Sequence, residues 1–572
     1  MNDNDQQSGF RRRIIPPAPP SPVPARRELR RRRPANDRSL LKQAPSAEEA
    51  PGLLAAMHND AAYMPAGTAV KTRPNRPAAE APPDDTESDA GDDNTSDSEV
   101  LQSSGSMAIA TLLSRLTGFL RNMLITASLG GAIASAFNTA NQLPNIITEI
   151  VLGAVLTSLV VPVLVRAEKE DPDHGEAFIR RLFTLSVSLL GTVTILSVLL
   201  APNLVKMALS SESKVNLAIS TSFAYWLLPQ IFFYGVFALL MAVLNTKNVF
   251  KPGAWAPVIN NIITLTVLVL YWVLPGELNP KDHSVGIFNP HVLLLGIGTT
   301  TGVIVQALIM LPYIKKSRVS LKPLWGIDSR LKQFGGMAAA IIVYVAISQF
   351  GYFVTSRIAA SADALAPNIY QQAWLLLQVP YGIIGVTLLT AIMPRLSRNA
   401  ADGDDKAVVE DLVMGSKMTY IALIPIVIFF TIFGTDIAKG LFAYGKFDVE
   451  AATVLGWTLS FSAFTLLPYS TVLLHLRVFY AREEAWTPTF IIAGITVTKV
   501  ALSWLATMVG TEPQKLVILL GAANGFGFVA GALIGGFLLR RQLGDLGTKQ
   551  VTRTCVWALT VQIGRASCRE RV

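Results

Sequence analysis

The chain has 572 residues, 51% of them hydrophobic and 16% charged, with a formal net charge of +9 and a mean hydropathy of +0.42. Repeated apolar runs of about 20 residues exclude a soluble domain and set the class as an all-α polytopic membrane protein. The two cysteines, Cys555 and Cys568, have neither metal-ligand nor redox spacing, and the sequence holds no HExxH, Walker A or GxSxG motif. Neither an enzyme nor a metal or cofactor site is expected.

Residues 1–102 read as a disordered cytoplasmic tail. Nine arginines fall among prolines between Arg11 and Arg33, and an acidic Ser/Thr-rich patch runs from Asp84 to Glu99. Such a segment has too few apolar residues to bury a core. Its arginines suit topology and contact with membrane lipid headgroups rather than nucleic acid. No cleavable signal peptide precedes the first span.

From Met107 the hydropathy predicts twelve complete spans, at about 107–129, 145–166, 179–201, 217–245, 254–275, 291–314, 334–359, 368–394, 416–437, 453–477, 487–510 and 515–539. A thirteenth begins near Val551. The six loops after even-numbered spans carry 22 Lys and Arg; the six after odd-numbered spans carry six. The positive-inside rule then puts the N-terminus in the cytoplasm.

The first span holds the decisive residues. Arg115 and Arg121 each lie eight residues from an end of the 107–129 run. An arginine at the centre of a spanning helix costs at least roughly 2.5–3.5 kcal/mol. A buried ion pair is one remedy, but the next span offers only Glu149. A water-filled cavity that binds an anion is the other, and the residues favour it. Arg115, Gly118 and Asn122 share one helical stripe, while Arg121 is rotated by roughly 120° toward a neighbouring helix. Guanidinium groups suit a diphosphate. Further charges in or near spans are Glu149, Arg357, Asp436 and Lys499. His475 is the one histidine placed inside a span.

An internal repeat organises the spans. Gln142-Leu-Pro144 with Gly153 and Pro162 corresponds to Gln378-Val-Pro380 with Gly385 and Pro394. Asn245 to Pro252 corresponds to Tyr480 to Pro488. Matching elements lie six spans apart, so the halves have the same orientation: two parallel-repeat six-helix lobes around a central cleft, plus the start of a thirteenth helix. That architecture implies alternating access. The expected domains are the tail (1–102), an N-terminal lobe (103–332), a C-terminal lobe (333–543) and the start of helix 13 (544–562). Residues 563–572 are encoded by ATC GGA AGA GCG TCG TGT AGG GAA AGA GTG, the string of a common short-read sequencing adapter. They are expected to be foreign, with the natural frame cut near Gln562.

Several motifs resemble the MurJ/MviN lipid II flippases. They are Ser114-Arg-x-x-Gly-Phe-x-Arg121, Ala136-Phe137, Leu143-Pro144-Asn145, Pro162, Leu244-Asn245-Thr246 with Pro257, Pro380-x-Gly-x-x-Gly385, Pro394-x-Leu-Ser397, Tyr444-Gly-Lys-Phe447, Phe479-Tyr480 and Thr487-Pro488. The match runs in order over about 103–543. It implies the multidrug/oligosaccharidyl-lipid/polysaccharide exporter fold and movement of undecaprenyl-diphosphate-linked peptidoglycan precursor (lipid II) across the plasma membrane. The long polar N-terminus resembles actinobacterial members, which often carry a kinase-like region beyond the last helix. The tail or such a region would recruit cell-wall synthesis proteins.

The resemblance carries a substrate role over to Arg115 and Arg121; with the other polar and charged residues of the spans, the expected substrate site is Arg115, Arg121, Asn122, Asn145, Glu149, Arg357 and Lys499. The chain also departs from the family. Thr148 and Leu375 stand where many members have arginine, Asn122 where an acid follows the second arginine, and Ser135 where a cavity aspartate is usual. Arg357 or Lys499 is expected to make up the thinned arginine cluster. Relatives that bind sodium use carboxylates on spans 7 and 11, which are lacking here, so no such site is expected. The alternatives are an exporter of another lipid-linked glycan or of small cationic drugs, and a membrane scaffold for wall synthesis. Arginines in the cleft disfavour the drug exporter.

Overall fold

The computed structural model describes residues 93–153, 171–326 apart from 174, 211 and 248, and 335–569 apart from 483, 485 and 511, together with Leu164 and Ala167. The tail up to residue 92, Pro162 of the repeat and the final residues 570–572 lie outside the described residues. Among the described residues there is no β-strand. The first half contains α1 (Asp93–Leu129), α2 (Gly131–Thr148, continued by a π-helical turn Glu149–Gly153), α3 (Glu176–Leu199), the short α4 (Ala201–Ala208), α5 (Leu217–Leu227), α6 (Gln230–Thr246), α7 (Lys251–Val273), α8 (Pro290–Leu308) and α9 (Leu311–Lys316). The second contains α10 (Gly335–Ala362), α11 (Ala366–Ala401), α12 (Asp405–Phe442), α13 (Val449–Ser462), α14 (Leu466–Ala481), α15 (Trp486–Val509), α16 (Pro513–Leu543) and α17 (Thr548–Arg569).

Local chemistry explains where these helices start and bend. Asn216, Asn289, Asp404 and Asp448 each accept a hydrogen bond from a backbone N–H of the first turn they cap, at 2.7–3.1 Å. Pro229 separates α5 from α6, which meet at 40° and form one bent span. Gly130, at φ +75°, makes the reversal between α1 and α2. That reversal is tighter than the hydropathy implies: the second span starts at Gly131, not near 145. The run 131–144 is helical: Ile133, Phe137 and Leu143 join a hydrophobic core, while Asn138, Asn141 and Gln142 turn to the space between the halves. Pro144 is therefore inside a helix, and Glu149 sits well along the span instead of near its external end. The spans expected at 368–394, 416–437 and 453–477 also run on as longer helices, α11, α12 and α13–α14.

The apolar residues pack into two cores. One gathers residues between Ile125 and Ile314, with Ala360 reaching in from α10. The other gathers residues between Tyr344 and Leu546. Eight described helices are long and apolar enough to cross a membrane, and a ninth results if α5 and α6 count as one. Two more expected spans, α1 and the described part of α2, fall short of that apolarity among the described residues. Their polar residues have a common destination, described below.

One close backbone approach in the second half joins α12 and α13. A Cβ on Gly456 would meet the Thr435 Cα and, at 2.9 Å, the Gly434 carbonyl oxygen, so backbone packs on backbone there. By contrast, nothing lies within 4 Å of a Cβ on Gly191 of α3. Gly456→Val is expected to destabilise the protein by at least about 1–3 kcal/mol, while Gly191→Ala is expected to be neutral or stabilising by up to about 1 kcal/mol. Thermal unfolding of the two detergent-solubilised variants checks this, and equal melting temperatures would refute the close approach.

Candidate functional site

A central cavity of about 280 Å³ opens between the two cores, walled by α1, α2, α6, α10, α11, α15 and α16. Most of its lining comes from α1, α2 and α11. On α2, Asn138, Asn141, Gln142 and Asn145 follow the i, i+3, i+4, i+7 spacing of one helical stripe, and all four line the cavity. Gln142 and its repeat counterpart Gln378 line it from opposite halves.

Arg115 and Arg121 both line this cavity. The seating of α1 aims them. Asn261 of α7 donates to the Ser114 carbonyl at 3.0 Å and to the Thr117 hydroxyl at 3.1 Å, fixing the back of α1 on either side of Arg115. Arg115 then projects the other way. Its guanidinium lies so close over Gly382 of α11 that a Cβ there would collide with it. Arg121 projects toward α6, where the Tyr234 hydroxyl is its electrostatic neighbour. One helix therefore places two cations on different sectors of a single cavity.

Asn122, Asn145 and Lys499 also line the cavity. The Asn122 amide donates to the Gly118 carbonyl and the Asn145 amide to the Asn141 carbonyl, both at 3.1 Å. The Lys499 ammonium stands 6.0 Å from the Tyr370 ring centroid. Leu375 lines the cavity as well, whereas Thr148 bonds the Pro144 carbonyl of its own helix.

Two expected site residues lie elsewhere. Arg357 is exposed and outside the lining, because its position on α10 faces away from the cavity that Ser348 and Tyr352 of the same helix reach. Glu149 is also outside the lining; its carboxylate accepts a 2.8 Å hydrogen bond from the Gln349 amide across the two halves. Sequence reading missed Tyr234, Asn138, Asn141, Trp374 and Asn524 as cavity residues. The stripe on α2 was the available signal; Tyr234 and Trp374 had none, since one aromatic in an apolar span reads as core. Arg477 is 1% exposed within α14 and stands apart from the cavity lining.

One end of the cavity is closed by hydrogen bonds between the halves. Asn368 of α11 is the hub: its side-chain oxygen accepts from Thr126 at 3.2 Å and Asn138 at 3.0 Å, and its backbone N–H donates to Ser135 at 3.2 Å. Gln372 adds a 3.0 Å bond to Thr126. Thr126, Ser135, Asn368 and Gln372 are all at most 1% exposed. Farther toward the same end, Lys446 donates its backbone N–H to Ala127, Lys214 donates its own to Ala360, and the Ser210 and Ser361 hydroxyls meet at 2.8 Å.

The family model described as "Lipid II flippase MurJ" matches residues 125–566, well over half of the chain. The chain belongs to the MurJ family. A Burkholderia cenocepacia "Lipid II flippase MurJ" is 25% identical over 424 residues, 72% of this chain and 79% of that one. A Vibrio cholerae "Probable lipid II flippase MurJ" is 25% identical over 490 residues, 80% and 85% of the two chains. Among solved structures, "Lipid II flippase MurJ, inward closed conformation" aligns with a TM-score of 0.64 at 19% identity, over 80% of this chain and 91% of that one. An inward-facing MATE-family multidrug transporter of the MOP superfamily aligns with a TM-score of 0.64 at 15% identity, over 76% and 96%. These likenesses give this MurJ-family chain the transporter fold, not an enzyme's.

Removing the Asn368 side chain leaves the Asn138 amide without its acceptor, at a cost of about 1–3 kcal/mol that applies only while this end is shut. In a background without native cysteines, the Ser210→Cys/Ser361→Cys pair is expected to cross-link under mild oxidation. Adding Asn368→Ala is expected to slow cross-linking about tenfold. An unchanged rate would remove Asn368 from the closure.

Proposed function

We propose that this multi-pass membrane protein is a flippase that carries lipid II from the inner to the outer leaflet of the plasma membrane by alternating access. The observation that carries the reading is that Arg115 and Arg121 face one cavity between the halves, closed at one end. The positive-inside asymmetry supports a cytoplasmic N-terminus, which makes the closed Leu129 end of α1 external and turns the cavity toward the cytoplasm. Arg115 and Arg121 take the diphosphate, and Asn122, Asn145 and Lys499 line its surroundings. Glu149 bridges the halves through Gln349, a contact that must part if they move, and Arg357 has no place against the substrate.

The mechanism follows from charge and water. In the inward state the headgroup enters a wet cavity without crossing hydrocarbon, and the guanidinium groups replace the water lost from its phosphates. The hydrogen bonds at the external end exclude passage until the halves rock. A second flipping cargo, another diphosphate-linked glycan, fits the arginines equally well. A cationic drug does not, because the lining residues include three cations and no carboxylate.

In liposomes, Arg115→Ala is expected to cut lipid II translocation at least about tenfold, since charged hydrogen bonds contribute about 1.5–3 kcal/mol each. Full transport by a stably folded variant would end this role for Arg115. The Ser210→Cys/Ser361→Cys disulfide is expected to arrest transport, with recovery on reduction; transport by the cross-linked form would sink alternating access through that end.

A further inference from the structure

The cavity has a second cationic pole that the diphosphate reading does not require. Arg115 and Arg121 stand on α1, whereas Lys499 stands on α15, on the wall built from the second core. Space for it is made by Gly527 of α16: a Cβ there would lie 3.2 Å from the Lys499 Cβ, tight enough to shift the lysine. Beside it, Trp374 and Phe528 stack at 5.9 Å with their planes only 6° apart, and both line the cavity. Asn524 and Gln371 complete this wall with amides.

Each feature suits a different part of a polar headgroup. A lysine is a compact point charge matched to a single carboxylate, while arginine forks fit phosphate. Flat aromatic rings offer an apolar face to a sugar, and amides hydrogen-bond its hydroxyl and acetamido groups. Lys499 lines the cavity from a different helix than the two arginines, so it meets a different part of a bound headgroup.

We propose that Lys499 is a specificity-determining residue: it binds a carboxylate on the far portion of the headgroup, against the Trp374–Phe528 wall, while the arginines hold the diphosphate. This rests on the flippase reading above. It makes the chain selective for an acidic glycan-peptide over a neutral headgroup of the same size.

The test uses the full chain in liposomes and two probes: undecaprenyl-diphosphate disaccharide-pentapeptide, and the same lipid with its peptide carboxylates amidated. Wild type is expected to prefer the acidic lipid by roughly tenfold in apparent affinity, the size of one charged hydrogen bond. Lys499→Gln is expected to abolish the preference and Lys499→Arg to keep it. Arg115→Ala is expected to weaken both lipids alike, with the preference intact. Equal affinity of wild type for the two lipids, a preference that survives Lys499→Gln, or equal loss of both lipids in Lys499→Gln would each overturn the subsite while leaving the flippase reading standing. Movement of neither lipid by wild type would overturn the flippase reading, and the subsite with it.

Discussion

A guanidinium group in the middle of a bilayer must be given water or counter-charge, and much of this structure follows from meeting that demand for Arg115 and Arg121. Their helix cannot be uniformly apolar, and neither can those facing it. The α2 stripe of Asn138, Asn141, Gln142 and Asn145 and the glutamines of α11 keep the space between the cores polar. The apolar α10, α15 and α16 share the cavity wall and bring Ser348, Tyr352, Thr496, Lys499 and Asn524 to it.

The same polarity supplies the closure. A dry, apolar seam between the halves would hold them together by packing alone. Here Thr126, Ser135, Asn138, Asn368 and Gln372 meet across the seam through directed hydrogen bonds. Such bonds are exchangeable: each group that loses its partner on opening can be hydrated by the water entering the gap. This lets one end be firmly shut in one state without making the open state prohibitively costly. The contact of Arg115 with Gly382 ties the substrate cavity to α11, the helix that also carries Asn368.

The cations of the cavity stand on two helices. Arg115 and Arg121 line it from α1, and Lys499 lines it from α15. Leu375 of α11 adds an apolar side chain to the same lining.

How much was legible in the sequence differs by residue. The class, the costly arginines and the repeat were legible because apolar length and intramembrane charge are one-dimensional quantities. Asn122, Asn145 and Lys499 could be chosen as candidates, and the fold put all three on the cavity. Local hydropathy reads the run after Gly130 as a loop, whereas it is a helix from Gly131 on whose Asn138, Asn141, Gln142 and Asn145 line the central cavity. Glu149 and Arg357 were chosen for their charge alone. Which face of a helix turns to the cavity depends on its neighbours, so Arg357 fell outside and Glu149 became a bridge to Gln349. Tyr234 and Trp374 were hidden for the same reason. The sequence by itself determined a helical membrane protein with two arginines inside its first span, since apolar length and intramembrane charge are read directly along the chain. Only the tertiary structure decided that Arg115, Arg121 and Lys499 share one cavity and that Asn368 shuts its end, because those relations join residues more than two hundred positions apart.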